Sequence, residues 1–158
     1  MIMRYKTTLE VILDFLKTHK DVTCTPIDTD DQIEPCSLRI QCQSSSTLYF
    51  AIRPEDATYI SLSSHHGKTM KLSAEAQEVA VAMSCEGTLN FELSNEEKAR
   101  IWHHNTSELR ELGTYDQLGY FGFRIQRGRY RSPNISTGEF DIKEGTEWTC
   151  DVDGTFQR

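Results

Sequence analysis

The chain has 158 residues and a formal charge of −7, from 17 basic and 24 acidic side chains. With 37% apolar and 26% charged residues, it reads as one globular domain large enough to bury its own core, not as a disordered chain. The acidic balance argues against bulk binding to nucleic acid or an anionic membrane, and no apolar run reaches bilayer-spanning length.

Thr7 and Glu10 have capping-box spacing, and Leu9, Ile12, Leu13 and Leu16 follow at helical intervals. This predicts an amphipathic helix over about 8–19, ended by His19-Lys20-Asp21. Val22 to Ile27 is short and β-branched, so it reads as a strand. Leu38, Ile40 and Cys42 alternate with Arg39 and Gln41, Gln43 to Ser46 is a polar turn, and Leu48, Phe50 and Ile52 alternate again. That is a hairpin pattern. Arg53-Pro54-Glu55-Asp56 is a second turn, and Tyr59 to Leu62 reads as another short strand.

The stretch Ser63 to Lys68 is polar with one glycine, hence a loop, and Ser73 to Gln77 reads as a single helical turn. Val79, Val81 and Met83 predict a strand, Cys85-Glu86-Gly87 a turn, and Leu89, Phe91 and Leu93 the returning strand. Ser94 and Glu97 form a second capping box. It opens a helix that carries Ala99 and Trp102 to about His104, and Leu109 and Leu112 extend the pattern to Gly113. Phe121, Phe123 and Ile125 make a late strand, and Phe140 to Ile142 with Trp148 to Cys150 suggest a last hairpin. The expected architecture is mainly β, a barrel with flanking helices. It forms a single domain over 1–158, with an N-terminal helix at about 8–19, barrel strands at about 22–93, a helix at about 95–112 and late strands at 119–152.

Five cysteines, Cys24, Cys36, Cys42, Cys85 and Cys150, form no CxxC pair. No secretory pattern precedes the first helix, so a cytoplasmic location with free thiols is expected. His65-His66 and His103-His104 are adjacent pairs whose side chains diverge, so no metal site is expected. Arg124, Arg127, Arg129 and Arg131 with Tyr130 form a basic run, readable as an ion-pairing strand or as an RNA contact. No catalytic-triad order, dinucleotide fingerprint or phosphate-loop motif is present.

The order of elements resembles the pyridoxamine 5′-phosphate oxidase-like split-barrel family, in particular its general-stress-protein subgroup. Three stretches carry the resemblance, which spans about 7–127. The first is the amphipathic helix followed by Val22-Thr23-Cys24-Thr25. The second is Leu48-Tyr49-Phe50, a serine-rich loop, Lys68, Leu72 and Val79-Ala80-Val81. The third is Gly87 to Leu93, then Asn95, Glu96 and Ile101-Trp102, with Gly113 to Ile125 beyond. Arg53 to Ile60 is extra to the family pattern, and an alternative register places Tyr59-Ile60 on the "LYF" strand.

The resemblance implies a split β-barrel of the FMN-binding type, a homodimer with flavin in a cleft between subunits, and flavin-dependent oxidoreductase chemistry on a small molecule. A non-enzymatic flavin- or small-ligand-binding protein is the alternative. The loop Ser63 to Thr69 has the hydroxyls, glycine and lysine that a phosphate needs. The carried-over candidates are therefore Ser63, Ser64, Lys68 and Thr69, with Arg39 reaching the phosphate from its strand. Trp102 is read as core, dimer contact or flavin wall, and Arg127 as a secondary contact to the partner's cofactor.

Overall fold

Alternation of apolar and polar residues sets the main sheet. In the computed structural model, residues 5–27, 35–77, 81–131, 138–141, 146–147, 149–151 and 156–157 are described. β1 (Tyr5–Thr7) leads into α1 (Thr8–Thr18). Strands β2 (Asp21–Pro26), β3 (Cys36–Arg39), β4 (Cys42–Ser44) and β5 (Thr47–Ile52) follow, then helix α2 (Ala57–Ser63). Next come β6 (Thr69–Ala76), β7 (Val81–Asn90), α3 (Asn95–His104), α4 (Thr106–Leu109) and β8 (Gly119–Arg131). A 3-10 turn (Tyr115–Gln117) precedes β8, and the short strands β9 (Gly138–Asp141), β10 (Thr146–Glu147), β11 (Thr149–Asp151) and β12 (Phe156–Gln157) complete the described elements.

The large sheet is antiparallel, in the order β10-β9-β8-β7-β6-β2-β3, with β5 also pairing with β8 and β4 with β5. One face buries the main core. There Ile12 and Leu16 of α1 join Leu48, Phe50, Leu72, Leu89, Phe121 and Phe123, with Phe50 and Phe121 stacked at 5.2 Å. Across the β5–β8 end, the opposite face carries a second core. Tyr49, Ala51 and Tyr120 pack there beneath Ile101 of α3 and Leu109 of α4. Each strand therefore has an inward and an outward face, as its period of two requires.

Several elements differ from the sequence expectation. Tyr59 to Leu62 lies in α2, not in a strand. A strand would put Ile60 and Leu62 on one face; the helix instead buries Leu62 fully and leaves Ile60 61% exposed, with Tyr59 packed edge-on to Phe91 and Phe121. Ser73 to Gln77 belongs mostly to β6, where Met70, Leu72, Ala74 and Ala76 are buried and alternate with Thr69, Lys71, Ser73 and Glu75. Inward packing at period two overrides the helical preference of its alanines. The expected helix over 95–112 breaks at Asn105, whose side-chain amide donates to the Gln41 carbonyl at 2.8 Å and to its side-chain oxygen at 3.0 Å. Val79 and most of the late tail lie outside the described residues.

The largest difference concerns Cys85-Glu86-Gly87. These residues do not turn; they lie inside the ten-residue strand β7. The irregularity falls in the pairing with β8, where Glu86 faces Arg127 but Gly87 faces Ile125, so Gln126 is an extra residue on β8. This is a β-bulge. Gly87 is needed for close approach, since a Cβ there would collide with the Arg124 carbonyl oxygen and lie 2.9 Å from a Phe123 ring carbon. Gly87→Ala is expected to destabilise the fold by about 2 kcal/mol or more, read as a lower urea midpoint in an unfolding titration.

Candidate functional site

The bulge decides which side chains share the outward face. Before it, Gly122 and Arg124 of β8 point outward; after it, Arg127, Arg129 and Arg131 do, while Tyr130 turns into the core. Without the extra residue, Arg124 would face opposite to the other three. The outward face thus carries all four arginines.

Cross-strand register then assembles rows on that face. Thr69 of β6 sits opposite Thr88 of β7, Thr88 opposite Arg124 of β8, and Arg124 opposite Thr47 of β5. This row holds one exposed guanidinium flanked by threonine hydroxyls, with Lys68 at its β6 end. The next row holds Lys71, Glu86 and Arg127, with Arg127 and Glu86 ion-paired at 2.8 Å. Arg124 has no carboxylate opposite it in its row, whereas Arg127 does.

The loop expected to cradle phosphate is a tightly self-bonded turn. The Ser63 hydroxyl donates to the Ile60 carbonyl at 2.9 Å and the Ser64 hydroxyl to the Ser61 carbonyl at 2.6 Å. The amides of His65, His66, Gly67 and Lys68 donate to the carbonyls of Leu62, Ser63, Leu89 and His65. Gly67 provides the left-handed backbone at φ +77° that the turn requires. The His66 ring accepts from the Phe91 amide at 3.0 Å. Serine protons and backbone amides here are therefore already used. Lys68 and Thr69 at the end of the turn are exposed, and Thr69 opens β6.

Arg39 lies elsewhere. It ion-pairs with Asp21 at 3.2 Å and with Glu108 of α4 at 2.7 Å. The Asp21 hydrogen bond and then the Glu108 charge hold its guanidinium even more firmly protonated than usual. By register Arg39 faces Asp21, and Thr23 faces Ser73; Arg39 is thus displaced along the sheet from Thr69 by six residues, roughly 20 Å at strand rise. The structure does not bring Arg39 to Lys68. A groove of about 300 Å³ beside Arg39 is lined by Asp21, Val22, Thr23, Ser37 and Leu38.

Trp102 is half-buried on α3, edge-on to Tyr115 at 5.9 Å, against the outward core. α3 is tied to the same face by Tyr49, whose hydroxyl donates to Glu97 at 2.9 Å. Burial first, and then that bond to Glu97, raise the Tyr49 phenol above its ordinary 10.0. Thr47 and Thr88 were not singled out from sequence. Each is an isolated threonine in an alternating strand, and only register across four strands gathers them around Arg124.

No family model matches the chain, and no curated protein does. Solved structures do match. A Clostridium acetobutylicum protein related to general stress protein 26 of Bacillus subtilis (pyridoxinephosphate oxidase family) superposes with a TM-score of 0.66 at 13% identity, covering 86% of this chain and 95% of that one. A NimC/NimA family protein from the same organism gives a TM-score of 0.67 at 13% identity, over 84% and 90% of the two chains. A heme binding protein from Mycobacterium smegmatis gives 0.61 at 11% identity, over 83% of this chain but 57% of that one. The fold is the split β-barrel of pyridoxamine 5′-phosphate oxidase-like proteins. Among the described residues, no helix is long and apolar enough to cross a membrane.

Glu97 anchors both the start of α3 and Tyr49. The Ser94 amide bond is the main cause of its carboxyl lying below its ordinary 4.5, and Tyr49 adds to it. A depressed folded-state value stabilises the fold above pH 4.5, and that contribution is lost as pH falls through the lowered value. Glu97→Gln should therefore flatten the loss of thermal stability between pH 5 and 3 measured by circular dichroism. Ser94→Ala should cost about 1 kcal/mol at neutral pH by removing the cap.

Proposed function

We propose that this chain binds FMN between two copies of itself and acts as a flavin-dependent oxidoreductase on a small molecule. The observation that carries the reading is the outward row Thr69, Thr88, Arg124 and Thr47, with Lys68 beside it. A phosphate monoester is best held by a guanidinium, an ammonium and hydroxyl donors converging from fixed strands. The row offers the guanidinium and the hydroxyls on the sheet, and the exposed Lys68 comes from the turn just before β6, in the loop that the resemblance singled out. Arg39, held by Asp21 and Glu108, is left out of this set.

One face of the sheet supplies one wall, whereas a flavin ring needs enclosure on both sides. A second subunit meets that need. Trp102 and Tyr115, on the same side of the sheet as Arg124, are the apolar surfaces suited to the ring, and Arg127 lies one row from the phosphate group. The bound flavin would supply hydride or electron transfer; the protein would supply anchoring, orientation and exclusion of water.

The test is a titration of the purified protein with FMN, followed by flavin fluorescence and absorbance. Saturable binding is expected, with Lys68→Ala and Arg124→Ala each weakening it by about tenfold, the effect of one lost charge-assisted hydrogen bond. Thr88→Val should weaken it less, and Arg39→Ala hardly at all. Bleaching of the bound flavin by a nicotinamide donor identifies an oxidoreductase, and inertness to donors a binding protein. A protein that takes up no FMN overturns the flavin reading.

A further inference from the structure

Cys24 and Cys36 sit directly opposite each other across β2 and β3. The Ile40 amide donates to the Lys20 carbonyl at 2.8 Å, so that pair is of the hydrogen-bonded kind. Pairs alternate in kind along an antiparallel ladder, and Cys24–Cys36 lies four pairs further on, which makes it hydrogen-bonded too. The Cα atoms of such a pair are about 5.5 Å apart, inside the Cα span that a disulfide bridges, and the Cβ atoms, about 5 Å apart, close by roughly 1 Å when the bridge forms. Both side chains belong to the inward face, with Val22 and Leu38 as their neighbours in the ladder. Cys24 is 1% exposed, whereas Cys36 is partly open to solvent. Among the described cysteines no other pair faces across strands: Cys42 is opposite Tyr49, Cys85 is opposite Leu72 and Gly128, and Cys150 is opposite Lys6 and Phe156.

We propose that Cys24 and Cys36 form a reversible disulfide on exposure to hydrogen peroxide, bracing the end strand β3 against β2. Solvent access makes Cys36 the first to react. Its thiolate attacks peroxide, the O–O bond breaks, hydroxide leaves and takes up a proton, and Cys36 becomes a sulfenic acid. The sulfur of Cys24 then attacks the sulfur of Cys36, the S–O bond breaks, and water departs with the Cys24 proton. Two thiols and one peroxide yield one disulfide and two waters. Burial, and then its neighbour Cys36, push the Cys24 thiol up to about 12, which keeps it protonated and leaves the first attack on peroxide to Cys36. Closing the bridge constrains the chain between the two cysteines in the unfolded state and so favours the folded one.

The test uses the full chain. No lysine or arginine lies between Asp21 and Arg39, so trypsin releases both cysteines in one peptide. After peroxide treatment, denaturation and alkylation, that peptide is expected to carry no label and to be lighter by two hydrogens, and dithiothreitol should restore both labels. The oxidised protein should melt about 5 °C higher. Cys36→Ser should leave Cys24 fully labelled after peroxide. A parent peptide that stays labelled at both cysteines, or that carries sulfinic acid at Cys36 with Cys24 still labelled, overturns the proposal. So does an oxidised protein that melts no higher than the reduced one.

Discussion

The parity of β8 is the constraint on which the rest depends. One extra residue, Gln126, sits opposite no partner of its own between Ile125 and Arg127, and it exists only because Gly87 lets the two backbones close. Because side chains alternate strictly along a strand, a single inserted residue inverts the facing of everything beyond it. Phe121, Phe123 and Ile125 fill the core on one side of the bulge, and Tyr130 fills it on the other. The same inversion collects Arg124, Arg127, Arg129 and Arg131 on the outward face. The inward Tyr130 and the outward facing of Arg127, Arg129 and Arg131 are thus two consequences of one irregular pair.

The chemistry of the site follows from which donors the fold has already used. A serine-rich loop looks suited to phosphate when read as a string of hydroxyls. In the folded chain its hydroxyl protons cap the end of α2 and its amides close a tight turn against β7. Lys68 ends the turn and Thr69 begins β6, both exposed, and the arginine in the row of Thr69 comes from β8. On the opposite edge, Asp21 and Glu108 engage Arg39 and tie β3 to α4. That arginine steadies the same edge strand that the Cys24–Cys36 pair would brace.

Much of the fold was legible in local pattern. The Ser94–Glu97 capping box, the apolar spacing of α1, the β-branched run of β2 and the alternation in β5 and β8 each correspond to an observed element, and their order pointed to the split barrel. The misreadings have one cause. Tyr59 to Leu62, Ser73 to Gln77 and Cys85 to Gly87 are short segments whose residues suit either state or mimic a turn. Their conformation is chosen by what they pack against. Tyr59 must reach Phe91 and Phe121, Ala74 and Ala76 must face the core, and Gly87 must admit the Arg124 carbonyl.

By itself the sequence determined a mainly β chain with an amphipathic leading helix, an acidic balance, and the loop and arginine run in which a ligand-binding group would be sought. These depend on period, capping and charge, which act within a few residues. Only the tertiary structure decided that the loop closes on itself, that Arg39 and Lys68 lie apart, and that Thr69, Thr88, Arg124 and Thr47 form one row. Cross-strand register sets those relations. It is fixed by core packing and a single bulge between segments far apart in the chain, and no local window contains it.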